Sequence, residues 1–171
     1  MGCDSTAPLR TEETFGRLII DAVGFEPNSK DRAVPSSTAC NGFQKRRPDL
    51  LWVNEEGGVA VVVEIDEHSH VQYEASCEVK KISEQNQQIQ HLEGCENIPV
   101  FTIRVNPDEY DQRRVLVKVR AAAVGNKVKE LLNGSYERNG FAMMYFCCYH
   151  SSAQHLIAEH AKTWKCEVLE C

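Results

Sequence analysis

Apolar residues recur along the chain with two periods, which predict alternating helices and strands. A spacing of three or four residues predicts an amphipathic helix at residues 11–23, and the same spacing recurs at 73–92 and 152–164. Short apolar runs bounded by turn residues predict strands, at 48–53, 59–66, 98–105 and 141–149. Residues 112–132 carry a helical stripe, although VLVKV within them also alternates like a strand. We interpret this segment as a helix.

The run VAVVVEI is apolar at both alternating sets of positions. Such a strand lies inside a sheet that helices cover on both sides. The order of elements therefore predicts an α/β fold with a mixed central sheet and helices on both faces. We expect residues 1–10 to be flexible, 11–110 to form the core and 111–171 to add a C-terminal strand and helix to the same domain. Residues 24–46, rich in turn formers, predict a connector with a short strand near 32–34.

Composition narrows the class of protein. The chain has 171 residues, of which 42% are hydrophobic, as is ordinary for one globular domain. No apolar run approaches the ~20 residues that span a bilayer, and the chain opens without a secretory signal. The eight cysteines include no CxxC pair, so we expect reduced thiols in an intracellular protein. The opening Met-Gly-Cys also fits acylation at Gly2 and Cys3, which alone would predict membrane association.

The net charge of −6 is unevenly distributed. Residues 49–96 contain eleven acidic residues and only two lysines, whereas 113–138 contain seven basic residues and two acidic ones. An acidic cluster flanked by basic segments suits a metal-dependent enzyme that acts on phosphodiesters, because cations offset the carboxylates while basic side chains hold the phosphates. A solvated acidic surface with scattered bases is the alternative interpretation.

Three carboxylates are predicted to converge at one end of the central hairpin. Glu64 and Asp66 alternate along one strand and therefore project from the same face, and Asp49 lies on the preceding strand. Crowded carboxylates repel one another, and a hard divalent cation such as Mg²⁺ relieves the repulsion. A strand end that emerges into solvent would explain the same acids without any metal.

Four ordered motifs carry a family resemblance over residues 10–110. RRPDL, VVVEIDEHSH, a helix with Tyr73, Cys77-Glu78 and Lys81, and IRVNPDEY resemble the PD-(D/E)xK nuclease superfamily. The chain is most similar to small nuclease-like proteins of large algal DNA viruses, and through them to very-short-patch-repair endonucleases. The resemblance implies a restriction-endonuclease-like core of helix, three strands, helix and strand. It also implies hydrolysis of DNA with Mg²⁺ or Mn²⁺, while the choice between DNA and RNA and the oligomeric state stay open.

The resemblance implies a role for each matching residue. Asp49, Glu64 and Asp66 would be metal ligands, with Asp66 standing where the superfamily usually has lysine. His70 would orient water or transfer a proton, supported by His68, Glu78 and, on the first helix, Glu12. Nucleic-acid contacts would come from basic residues, namely Arg46, Arg47, Lys81, Arg104, Arg114, Lys118 and Lys129.

Simpler interpretations stay open for several of these residues. Glu78 and Lys81 would equally form a surface ion pair, and Arg104 would equally pair with a carboxylate. Two other functional classes also remain. One is an inactive nuclease fold that binds nucleic acid or protein, and the other is a lipid-anchored interaction protein.

Overall fold

The structure is a computed structural model that describes residues 11–32, 47–109, 115–134 and 142–169. In these ranges the helices are α1 (Thr11–Val23), α2 (Ala75–Gln90), α3 (Val117–Leu132) and α4 (Gln154–His160). The strands are β1 (Ser29–Lys30), β2 (Leu50–Asn54), β3 (Val59–Ile65), β4 (Val100–Val105), β5 (Ala142–Cys147) and β6 (Lys165–Leu169).

The six strands form one mixed sheet in the order β1-β2-β3-β4-β5-β6. The β1–β2 and β2–β3 pairs are antiparallel, and the pairs from β3 to β6 are parallel. The carboxyl ends of β3 and β4 therefore meet at one edge of the sheet, together with the start of β2. This edge is called the catalytic edge below, after the function proposed for it.

Helices cover both faces of the sheet and explain why β3 is buried along its whole length. On one face, Phe15 of α1 and Val124 of α3 pack on odd-numbered positions of β3 such as Val61. On the other face, Ile89 of α2 packs on the even-numbered Val62. Ile82 of α2 and Leu156 of α4 continue this second layer over β5.

The α/β class and the helices on both faces are confirmed. α1 has the predicted bounds, and Val117–Leu132 is helical as expected. The predicted short strand near 32–34 falls mostly outside the described residues, and a short strand, β1, lies at Ser29–Lys30. The helix predicted to reach residue 164 ends at His160, and β6 follows it. This edge strand was missed because it is only five residues long and mostly exposed, although the apolar Cys166 and Val168 alternate with Lys165 and Glu167.

Cys77, Cys95, Cys147 and Cys166 are free thiols. Cys148 is disulfide-bonded, so the expectation of uniformly reduced cysteines is wrong at this position. No helix in the described ranges combines the length and the apolarity needed to cross a membrane. The acylation motif at Gly2 and Cys3 lies outside the described residues.

Candidate active site

The predicted carboxylates come together at the catalytic edge because of strand alternation and register. Leu50 of β2 pairs with Val63 of β3, which brings the preceding residue, Asp49, beside Glu64. Glu64 in turn pairs with Arg104 of the parallel strand β4. Glu64 and Arg104 project to the side of the sheet that α2 covers, as their contacts with that helix show.

Asp49 is a half-buried carboxyl group in an acidic setting. Its Oδ2 accepts a hydrogen bond of 2.6 Å from the backbone N–H of Ile65. Burial, and after it the charge of Glu64, raise the pKa of Asp49 to about 8, with a further contribution from Glu12. Without a cation, Asp49 is therefore largely protonated at neutral pH, and a bound cation would favour its ionised form.

Glu64 is 1% exposed and is held by two side chains of α2. Lys81 donates from Nζ to Oε2 at 2.6 Å, and Gln85 donates from Nε2 to Oε1 at 2.8 Å. Burial would lower the pKa of Lys81, but the charge of Glu64 outweighs it and raises this pKa above its ordinary value. Lys81 is thus a cation held beside the carboxylate of Glu64. It forms this buried ion pair with Glu64 in place of the surface ion pair with Glu78 that was the alternative interpretation.

Asp66 belongs to an internal network centred on Arg104. Arg104 donates from Nε to Asp66 Oδ2 at 2.6 Å and from Nη2 to Glu78 Oε2 at 2.5 Å, and the hydroxyl of Tyr149 also donates to Asp66 Oδ2. Burial would raise the pKa of both carboxyl groups, but Arg104 holds that of Asp66 well below its usual range. For Glu78 the hydrogen bond from His70, followed by Arg104, lowers the pKa to about 2.

Arg104 does not form the predicted phosphate contact. Its side chain is 0% exposed, and its donors reach Asp66, Glu78 and His160 within the protein. A guanidinium has no acceptor, so His160 Nε2 must accept from Arg104 Nη1 at 3.0 Å. His160 Nδ1 then carries the proton and donates to the carbonyl of Leu156 at 2.7 Å. The alternative interpretation of Arg104, as a partner for carboxylates, is confirmed.

His70 lies in a strained turn directly after β3. His68, Ser69 and His70 have φ values of 56°, 52° and 50°, the left-handed region that non-glycine residues rarely occupy. Ser69 is fully buried, and its hydroxyl accepts from the backbone N–H of His150. The surrounding structure thus holds the turn in a conformation that costs about 1–2 kcal/mol per residue.

The ring of His70 is fixed by its contacts with both carboxylates. Nδ1 lies 3.2 Å from Asp66 Oδ1, 3.1 Å from Glu78 Oε2 and 3.2 Å from Arg104 Nη2. A carboxylate can only accept from Nδ1 and a guanidinium can only donate to it, so the tautomer decides which of these hydrogen bonds forms. When Nδ1 carries the proton and donates to a carboxylate, Nε2 is the basic nitrogen of the neutral ring. The ring itself borders a cavity and stacks on Tyr73, with the ring centroids 4.4 Å apart.

Asp66, His70 and Glu78 offer ligand atoms that all lie within 4.8 Å of one another, so this group could hold a metal ion. Within the described ranges it is the one group that meets this distance. It differs from the predicted set of Asp49, Glu64 and Asp66, because Asp66 is turned toward Arg104. The Arg104 guanidinium already contacts both carboxylates of the group and compensates their charge.

Two adjoining cavities open at the catalytic edge. The acidic cavity, of about 460 Å³, is lined by residues that include Glu12, Asp49, Lys30 and Arg32. The aromatic cavity, of about 330 Å³, is lined by Glu12, Ile65, Glu67, His68, His70, Val71, Gln72 and Tyr73. Glu12 and Ile65 line both cavities, so the predicted position of Glu12 beside the site agrees with the structure. The lysine and arginine at the acidic cavity were missed, because nothing in the connector sequence marks them.

Two of the remaining predicted basic residues, Arg46 and Arg114, lie outside the described residues, whereas Arg47 is exposed two residues before Asp49. Arg120 of α3 donates to the carbonyl of Asn106, next to the catalytic edge, and the carbonyl of Leu132 contacts Asn54 at the opposite edge. Lys118 and Lys129 are separated along α3 by about 16 Å. The nucleic-acid contacts of these residues stay predictions.

His68 is largely exposed and pairs with Asp108 at 3.4 Å. Three further residues that hold the site escaped the sequence analysis, namely Gln85, Tyr149 and His160. Gln85 had a signal, since it lies one helical turn beyond Lys81 on the same side of α2. The other two come from the C-terminal extension, where no local pattern connects them with β3.

No protein-family model, no curated protein and no solved structure matches this chain.

Proposed function

We propose that this protein is a divalent-metal-dependent nuclease that hydrolyses phosphodiester bonds of DNA. The observation that carries the proposal is the constellation of Asp49, Glu64 and Lys81 at the catalytic edge. Two carboxylates lie beside each other on a hairpin, and an ammonium group lies 2.6 Å from the buried one. Burial, and after it the charge of Glu64, raise the pKa of Asp49, and a bound cation would lower it again.

The donor set suits a hard cation. Asp49 and Glu64 would hold Mg²⁺ or Mn²⁺ through oxygen. Glu12, which lines the acidic cavity with Asp49, would offer a third carboxylate. When bound, the cation would polarise the phosphate and lower the pKa of the attacking water. The group of Asp66, His70 and Glu78 is the weaker choice for this ion, because Arg104 already supplies a cation there.

In this proposal, Lys81 supplies the ammonium group that the superfamily pattern would place at position 66. The superfamily places a lysine two residues after the glutamate, but here that position is Asp66. Lys81 brings an ammonium group to Glu64 from α2 instead. A lysine at this place pairs with Glu64 and holds a positive charge close to where the attacked phosphate would lie.

His70 supplies a group for proton transfer. Asp66 and Glu78 orient its ring through Nδ1, while the ring borders the aromatic cavity. An imidazole oriented in this way can act as a general base or a general acid. Asp66 therefore acts in this proposal as a positioning residue, not as a metal ligand.

The proposal is tested with supercoiled plasmid and single-stranded DNA, each incubated with Mg²⁺, Mn²⁺ or EDTA. We expect cleavage with either metal, none with EDTA, and none for Glu64→Gln. Glu56→Gln is the matched control, because Glu56 is an exposed carboxylate in the turn between β2 and β3 at the opposite edge. Binding of DNA by the wild type without metal-dependent cleavage would overturn the proposal in favour of an inactive binding module.

A further inference from the structure

Tyr73 presents an aromatic ring to solvent at the mouth of the aromatic cavity. The side chain is 56% exposed, and its ring lies over that of His70 with an interplanar angle of 34°. Burial of a large apolar ring is favourable, so an exposed ring that borders a cavity marks a surface where a partner group gains from contact. The free face of a tyrosine is suited to a flat, aromatic group.

The polar groups of the aromatic cavity suit a nucleobase better than a phosphate. Its described lining contains the carboxylates of Glu12 and Glu67, the imidazoles of His68 and His70 and the amide of Gln72, but no lysine or arginine. Carboxylates and amides pair with the amino and imino groups on the edges of bases. With no lysine or arginine beside them, the carboxylates disfavour a phosphate in this cavity.

The acidic cavity beside it has the complementary chemistry. Lys30 and Arg32 line it together with four carboxylates, those of Glu12, Glu13, Asp31 and Asp49. A phosphate there would be held by the lysine, the arginine and the divalent cation that Asp49 would take. The two cavities share Glu12 and Ile65, so a phosphate in the acidic cavity has its own base, or the neighbouring one, within reach of the aromatic cavity. A paired base cannot present both its face and its edge to such a cavity, because stacking and pairing occupy them.

We propose that the aromatic cavity binds one unpaired nucleobase of the substrate strand, stacked on Tyr73. This inference rests on the proposed nuclease function and names its substrate class: single-stranded DNA, or duplex DNA with an extruded or mismatched base. Tyr73 is a binding residue in this arrangement. One oxygen of Glu67 is already engaged, because Oε1 accepts from the backbone N–H of Glu12 at 3.3 Å.

The test measures binding and stacking without cleavage. Single-stranded oligonucleotides that contain the fluorescent base 2-aminopurine are titrated with the protein in EDTA, and quenching of the fluorescence reports stacking. We expect quenching with wild type and with Tyr73→Phe, and a loss of affinity of about tenfold or more with Tyr73→Ala. Phe25→Ala is the matched control, because Phe25 is 53% exposed and borders a cavity at the opposite edge.

A second arm uses an oligonucleotide in which every position that showed quenching is replaced by an abasic site. There the affinities of wild type and Tyr73→Ala should be equal, since no base remains to stack. The inference would be overturned if Tyr73→Ala lost the same affinity for normal and for abasic strands. Tighter binding of perfect duplex than of single strands would also overturn it.

The two proposals fail in different ways. Metal-dependent plasmid cleavage with no effect of Tyr73→Ala on binding or quenching overturns only the base-binding inference. Absence of cleavage together with quenching that depends on Tyr73 overturns only the nuclease. Absence of binding to every nucleic acid overturns both. Thermal melting of each variant separates these outcomes from loss of the fold.

Discussion

The ammonium group of Lys81 lies 2.6 Å from the buried carboxylate of Glu64, although the adjacent Lys80 is 75% exposed and reaches only Glu84, at 3.9 Å. The two lysines are consecutive on α2 and differ in the side of the helix from which they project. Chemistry at the catalytic edge therefore depends on one of them, and the other is a natural control.

Lys81→Met should slow metal-dependent cleavage by about a hundredfold or more, since groups that stabilise charge in the transition state typically contribute that much. Lys81→Arg should retain part of the rate because it keeps the positive charge. Initial rates on plasmid DNA at saturating Mg²⁺ are the measurement. Lys80→Met should cleave at the wild-type rate, and equal effects at both positions would assign the loss to general destabilisation.

Asp49 should make the stability of the metal-free protein depend on pH. Its pKa is about 8 in the folded protein, whereas an unfolded aspartate has an ordinary pKa near 3.9. Between these values the folded state binds more protons, so the free energy of unfolding should fall as pH rises from about 4 to about 8. Urea unfolding at pH 5, 6.5 and 8 measures this decline.

Asp49→Asn should remove that component of the pH dependence and raise the stability of the metal-free protein at pH 8. Mg²⁺ should stabilise wild type at pH 8, where it replaces the proton, and should stabilise Asp49→Asn much less. Glu56→Gln should behave like wild type in both experiments. If the free energy of unfolding depended on pH in the same way for Asp49→Asn and wild type, the pKa of Asp49 would not be raised in the folded protein.

The sequence predicts the carboxylate pair but not what surrounds it. Alternation places Glu64 and Asp66 on one face, and the short turn after Asn54 returns the strand, so the approach of Asp49 and Glu64 is determined within about 20 residues. Alternation alone cannot distinguish a carboxylate that faces an open site from one that a neighbour neutralises. Asp66 is neutralised by Arg104, 38 residues away.

The C-terminal extension was the least predictable part of the site. Tyr149 and His160 reach Asp66 and Arg104 only because β5 and α4 complete the sheet and its second helical layer. Their roles depend on topology, and neither residue lies in a recognisable local motif.

Arg104→Met should destabilise the protein at pH 7 by about 3–5 kcal/mol, because Asp66 and Glu78 are left as buried charges without a cation. The pKa of both carboxyl groups is lower in the folded protein than in the unfolded chain, so their ionisation stabilises the wild type above pH ~4. This stabilisation is lost as the pH falls toward 2. The variant should lack that acid-sensitive component. The cost of the substitution should therefore be smaller at pH 3 than at pH 7.

Urea unfolding of both proteins at pH 7 and pH 3 checks this expectation. Adding Asp66→Asn and Glu78→Gln to Arg104→Met should recover part of the stability at pH 7, since the unpaired charges are removed. Arg17→Met, on the exposed side of α1, should cost little at either pH. A penalty independent of pH would mean that Arg104 contributes packing and not charge.

His68→Gly should stabilise the protein by about 0.5–1 kcal/mol. His68 has a φ of 56°, which glycine adopts without strain, and the gain exceeds the added entropy of the unfolded chain. Its side chain is 83% exposed and contributes one pair with Asp108 at 3.4 Å. His91→Gly is the matched control, because His91 is exposed with a φ of −94° and should lose stability. Denaturant midpoints that fall for His68→Gly would contradict the strain in this turn.

Binding to DNA should depend on salt through the cations nearest the acidic cavity. Lys30 and Arg32 line that cavity, and Arg47 is exposed two residues before Asp49. The logarithm of the binding constant falls linearly with the logarithm of the salt concentration, and removing one protein cation that contacts a phosphate reduces this slope by about 0.7–0.9. Replacing all three residues with Gln should therefore reduce the slope by about two to three. Affinity should fall evenly for all sequences, because such interactions carry no base readout.

Lys129 provides the comparison for this triple variant. It has the same charge but lies toward the opposite edge of the sheet, about 16 Å along α3 from Lys118. Lys129→Gln should leave the slope unchanged, whereas Lys118→Gln, nearer the catalytic edge, should reduce it by at most about one. Fluorescence anisotropy at low and at physiological salt, in EDTA, measures all of these slopes. If Lys129→Gln changed the slope more than the triple substitution does, the nucleic acid would bind to the face formed by α1 and α3. It would then bind away from the carboxylates of Asp49 and Glu64.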